Sequence, residues 1–70
     1  MTTPHLTEVF HIDRATGWAF AAYDAERNQI GEAAYGFRQR DAIAGARRWQ
    51  PELPTHVYNG HGEKVREVRA

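Results

Sequence analysis

Gln39-Arg40-Asp41-Ala42-Ile43-Ala44-Gly45-Ala46-Arg47-Arg48-Trp49-Gln50-Pro51 is the one stretch of this chain that reads as a helix, and strand-like sequence lies on both sides of it. On a wheel of about 100° per residue, Ala42, Ala46 and Trp49 fall within about 60° of one another, with Ile43 at the margin. That stripe predicts the core face. Arg40 and Arg47 project together on the opposite side, and Arg48 lies beside Asp41. Asp41 in the first turn and Arg47 and Arg48 in the last both suit the helix dipole. Pro51 ends the helix, because the residue before a proline is pushed out of the α region. The small side chains of Ala42, Ala44 and Ala46, with Gly45, let such a helix sit close to a sheet. One short helix covers about one face of a small sheet. The chain carries three Phe, three Tyr and two Trp, so some aromatics are expected on a face the helix cannot reach.

Working outward, Leu6 to Asp13 is rich in β-branched and aromatic residues and predicts a strand. Asp13-Arg14-Ala15-Thr16-Gly17 reads as a turn. Trp18 to Asp24 predicts the second strand, with Trp18, Phe20 and Ala22 on one face and Ala19, Ala21 and Tyr23 on the other. Ala25 to Gln29 is a polar turn. Ile30 to Phe37 is the third strand, weakened by Gly31 and Gly36, which suggest bulges or close backbone approach; its alternation groups Ala33, Tyr35 and Phe37. Beyond the helix, Thr55 to Tyr58 and Glu63 to Val68 flank Asn59-Gly60-His61-Gly62, a strong hairpin signal. The expected architecture is a single α+β domain over residues 1–70, in the order β-β-β-α-β-β. It is an antiparallel sheet of four to five strands with one helix packed on one face. Residues 1–5 are expected to form a flexible N-terminus.

The composition excludes several classes. A chain of 70 residues buries only roughly 60% of its unfolded surface and is stabilised marginally. Without cysteine it has neither disulfides nor thiolate metal sites, which leaves oligomerisation or an efficient core. Met1-Thr2-Thr3-Pro4-His5 has no basic region and no apolar run, so no signal peptide is expected. No apolar run approaches the about 18 residues of a membrane span. The expectation is a cytoplasmic protein without a membrane. Nine basic residues balance nine acidic ones, which argues against a dedicated nonspecific nucleic-acid binder and equally against an acidic nucleic-acid mimic.

The residues Gly17-Trp18-Ala19-Phe20, then Phe37, then Asp41-Ala42-Ile43 with Ala46, then His56-Val57-Tyr58 and Gly62-Glu63-Lys64-Val65-Arg66-Glu67 resemble a small bacterial and phage family, the domain of unknown function 2188. The resemblance covers most of the chain from Val9 onward. It implies the same arrangement of strands and helix, no particular activity, and a phage, plasmid or accessory-gene origin.

Candidate sites follow from residue type and spacing. His5, His11, His56 and His61 lack the tight spacing of zinc ligands within one element, so no metal is expected, and no cofactor motif is present. With no serine or cysteine the commonest nucleophiles are missing, and so small a sheet has little volume for a deep pocket; the chain is expected not to be an enzyme. Tyr23, Tyr58 and either Trp18 or Phe37 are candidates for an outer aromatic face, and Trp18, Tyr23 and Tyr58 are assigned as the partner-contacting residues. Phe10 and Ile12 are expected in the core, with Trp49 against the sheet. Arg38, Arg40, Arg47 and Arg48 form the best electrostatic patch, suited to phosphate or an acidic partner. The leading expectation is a small non-catalytic module that binds a protein partner, with a homodimer as the default, acting through the uncovered sheet face or an edge strand. A mobile-element accessory or inhibitor protein is one concrete version. The alternative is a nucleic-acid-binding module using the arginine-rich helix face with exposed aromatics.

Overall fold

The computed structural model describes residues 3–69. Its elements are β1 (Leu6–Asp13), β2 (Gly17–Tyr23), β3 (Gln29–Gly36), α1 (Gln39–Trp49), β4 (Thr55–Tyr58) and β5 (Lys64–Val68). They build an α+β fold with one five-stranded sheet, in the order β3-β2-β1-β4-β5. The β1–β2, β2–β3 and β4–β5 pairs are antiparallel, and β1–β4 is parallel. The sheet is therefore mixed, which corrects the expected antiparallel meander. The physical reason is the connection: the helix carries the chain across one face of the sheet, and β4 re-enters beside β1 running in the same direction, as crossover connections do. Of the expected flexible terminus, the first two residues lie outside the described part. Within it, the His5 N–H donates to Tyr23 O at 2.8 Å, continuing the β1–β2 ladder.

Register decides which residues meet the helix. Val9 pairs with Phe20 and Val57, Thr7 with Ala22 and Thr55, and Thr55 with Val68. Residues directly opposite share a face. Val9 and Val57 are fully buried and cluster with Ala42, Ile43 and Ala46 of α1, while Trp18, Phe20 and Val68 pack around them. Thr7 and Thr55, also fully buried, exchange a hydroxyl hydrogen bond of 2.9 Å across the parallel pair, and Thr7 Oγ1 donates onward to Pro54 O at 3.3 Å. Both hydroxyls are thereby satisfied, so two polar side chains sit in the core without the penalty of an unpaired group.

Three expectations about this core are corrected. Trp49 does not fill it: the residue is 47% exposed. The helix lies too close to the sheet for an indole to slide beneath. A Cβ at Gly45 would come within 2.6 Å of Phe20 Cε1, so the helix rests directly on the Phe20 ring. Trp49 stacks at the side of that ring instead, with centroids 6.2 Å apart and planes tilted by 54°. Phe10 and Ile12 also fall outside. Because Val9 faces the helix, alternation turns Phe10 away; Phe10 is half-buried on the opposite face, and Ile12 is exposed. The fully buried side chains under the helix are small ones, matched to a helix whose own buried face is mostly alanine, while Phe20 and Trp18 lie partly exposed beside them.

Candidate interaction surfaces

The face turned away from α1 is built from the other set of each alternation. Across the sheet, Ala21, Glu8, His56 and Glu67 form one row. In the neighbouring row Tyr35 pairs with Ala19, and Ala19 with Phe10. Ala19 and Ala21 are completely buried although no helix covers them. Their larger neighbours shield them.

A carboxylate stands in the middle of this face. Glu8 is 5% exposed, and the Arg27 side chain closes over it. Arg27 Nε donates to Glu8 Oε2 and Arg27 Nη2 to Glu8 Oε1, each at 3.2 Å, which is the two-pronged geometry that suits a guanidinium to a carboxylate. The same guanidinium lies 5.4 Å from the centre of the Tyr58 ring, within cation–π range. Hydrogen bonding to Glu8 raises the pKa of Arg27, with the Glu8 charge adding to it. Burial pushes the Tyr23 phenol up, and the charge of Glu8 pushes it the same way.

Local sequence explains how Arg27 reaches that position. The Asp24 carboxylate accepts the backbone N–H groups of Glu26 at 2.9 Å and Asn28 at 2.8 Å, and the Asn28 side-chain amide at 3.3 Å. These bonds, that from the Asn28 backbone foremost, hold the Asp24 carboxyl below its ordinary pKa. They close the β2–β3 turn with Arg27 at φ 65°, a left-handed conformation uncommon outside glycine, asparagine and aspartate. The turn folds its arginine back over the sheet. Farther along the face, His56 Nε2 lies 3.3 Å from Glu67 Oε1, and Lys64 Nζ 3.6 Å from Glu67 Oε2.

The sequence-assigned residues are thus divided. Tyr23 and Tyr58 share the face away from the helix, but both are half-buried and the Arg27 guanidinium lies over Tyr58. Trp18 lies on the other face, paired with His11 and Gly36, its ring edge-on to the His11 ring with centroids 5.0 Å apart; it belongs to the helix side and does not join the two tyrosines. The most exposed aromatics are Tyr35, at 65%, and Phe37, at 66%. Tyr35 closes the row through Ala19 and Phe10, and Phe37 follows two residues later. Their common alternation is legible in the sequence, whereas the placing of Arg27 over Tyr58 is not, because the carboxylate that holds Arg27 there, Glu8, is 19 residues away.

Arg38, Arg40, Arg47 and Arg48 are all exposed, and none of them forms an ion pair among the described residues. Arg38 occupies the N-cap position, where its backbone N–H donates to Asp41 Oδ2 at 3.3 Å; its side chain has no acceptor with which to cap. The four do not form one tight cluster. Arg38 and Arg40 stand at the N-terminal end of α1, and Arg47 and Arg48 in its last turn. Among the described residues, no group of three or more His, Asp or Glu side chains is placed to hold a metal ion, and no helix is long and apolar enough to cross a membrane.

A third feature lies on the helix side, where Phe20, Glu32, Ala34 and Trp49 line an open groove of about 330 Å³. Comparison of the chain with family models, with curated proteins and with solved structures finds no match.

Proposed function

We propose that this chain is a non-catalytic interaction module that binds a protein partner through the sheet face turned away from α1, with a second copy of itself as the default partner. One observation carries the reading. The domain fully buries only small side chains, Val9, Val57, Thr7 and Thr55 being the largest, while Tyr35 and Phe37 stay about two-thirds exposed. A small domain whose big apolar side chains lie outside its core gains most from burying them against another chain. The Arg27–Glu8 pair puts a polar group in the middle of that face, so the contact centres on the aromatic part beside it, Tyr35, Phe37 and Phe10. The resemblance to family 2188 points to an accessory or inhibitor protein of a mobile element as the setting.

Light scattering at tens of micromolar is expected to give twice the 8.0 kDa chain mass. Tyr35→Glu, at an exposed site, is expected to return the monomer without loss of folding. A wild-type chain that stays monomeric throughout would contradict self-association.

The unpaired arginines of α1 favour a second reading, contact with nucleic-acid phosphate. On that reading binding weakens steadily with salt, and replacing Arg40 and Arg47 together by alanine reduces the slope of log affinity against log salt by about two. No detectable DNA or RNA binding at low salt would remove this reading.

A further inference from the structure

The groove beside β3 combines three things. Two aromatic rings, Phe20 and Trp49, form tilted walls. Ala34, a small residue on β3, lines the same space and leaves it open. A carboxylate, Glu32, lines the same space.

Glu32 lines it by alternation, on the side of β3 shared by Ile30 and Ala34, and the strand is irregular around it. Ala22 pairs with Ile30, and Phe20 with Ala34. Gly31, Glu32 and Ala33 therefore stand opposite Ala21 alone. This three-to-one bulge lies on the free edge of the sheet, since β3 has a neighbour on one side only. Bulges re-aim side chains and break the hydrogen-bonding ladder that a further strand would need. Glu32 forms no ion pair among the described residues.

From this geometry we infer that the groove is a receptor for one cationic side chain, a lysine or arginine projecting from a partner protein. Charge complementarity selects the occupant. The aliphatic stem of such a residue packs on Ala34 and Phe20, while its charged head meets the Glu32 carboxylate and the electron-rich face of an aromatic ring. An acidic side chain is repelled by Glu32. A neutral apolar one removes water from the carboxylate and returns no partner to it. The bulge disfavours addition of a whole strand, so the partner contributes a side chain. The site lies on the opposite side of the sheet from Tyr35, and it stands independently of the self-association proposed above.

The test uses the ¹⁵N-labelled full chain, titrated to tens of millimolar with three blocked tripeptides that differ only in a central lysine, arginine or norleucine. Saturable shifts of the Trp49 indole N–H and the Ala34 amide are expected with the two cationic peptides and not with norleucine. Glu32→Gln is expected to weaken this binding about fivefold and to leave the thermal midpoint unchanged, because Glu32 has no internal ion pair to lose. An equal response to norleucine would overturn the inference by showing a merely apolar cleft. So would a response that Glu32→Gln leaves intact, or none at all. Shifts of the same two residues on dilution, without peptide, would also overturn it, by identifying a second copy as the occupant.

Discussion

Gly17→Ala is expected to remove a large part of the domain's stability to urea. Two separate costs meet at this residue. Its φ is 89°, a conformation that costs an L-residue about 1–2 kcal/mol. In addition, an alanine Cβ would run into the backbone carbonyl of Phe37, with the Phe37 Cα also only 2.9 Å away. Those are main-chain atoms, so no rotamer change relieves the overlap, and the junction between β3 and α1 must move. A domain of this size has roughly 4–10 kcal/mol of stability in all, and the two costs together take a large part of it. Gly62→Ala separates them. Gly62 has a similar φ of 81°, but nothing lies within 4 Å of its added Cβ, so only the strain of about 1–2 kcal/mol remains. Urea titration followed by circular dichroism reads both variants. Equal destabilisation by the two would show that Phe37 does not cross so close to the start of β2.

Ile43→Ala is expected to cost more than Trp49→Ala, against the ranking that side-chain size alone gives. Ile43 is 9% exposed and sits in the cluster with Val9 and Val57. Truncating it leaves a cavity between helix and sheet and costs about 2–4 kcal/mol. Trp49 already has nearly half its surface in water, and its indole rests on one ring, that of Phe20. Removing it exposes one face of Phe20 and leaves no enclosed void, so about 1–2 kcal/mol is expected. The same urea titration orders the two. A Trp49→Ala variant that fails to fold, beside a stable Ile43→Ala, would place the indole under the helix after all.

The reason for that reversal also separates what could be read early from what could not. The helical wheel gives angle and says nothing of depth. It grouped Ala42, Ala46 and Trp49 correctly by direction, and it left Ile43 at the margin. How close the helix sits depends on Gly45 meeting Phe20, a contact between elements that are distant in sequence. Strand faces behaved in the same way. The alternation of β2 was legible, with Trp18 and Phe20 opposite Ala19 and Tyr23. For β1 the larger residues Phe10 and Ile12 looked like the core set, whereas Thr7 and Val9 take that role because they are paired with Thr55 and Val57.

For the candidate surfaces, the exposed arginines of α1 followed directly from helical period, since that property is local. The aromatic face followed only in part. Tyr23 and Tyr58 are legible as members of it, but the guanidinium over Tyr58 is not, and the groove of Phe20, Glu32, Ala34 and Trp49 gives no signal at all. Its walls come from β2, β3 and α1, and no single element encodes how those three come together.

By itself, the sequence determined the elements, their approximate limits and the alternation within each strand, because propensity, turn chemistry and period act over a few residues. Only the tertiary structure decided that β4 joins β1 in parallel, that Trp49 lies beside the core, and that Arg27 closes over Glu8. Each of those depends on which distant segments share burial, and that competition is settled by the packing of the whole chain.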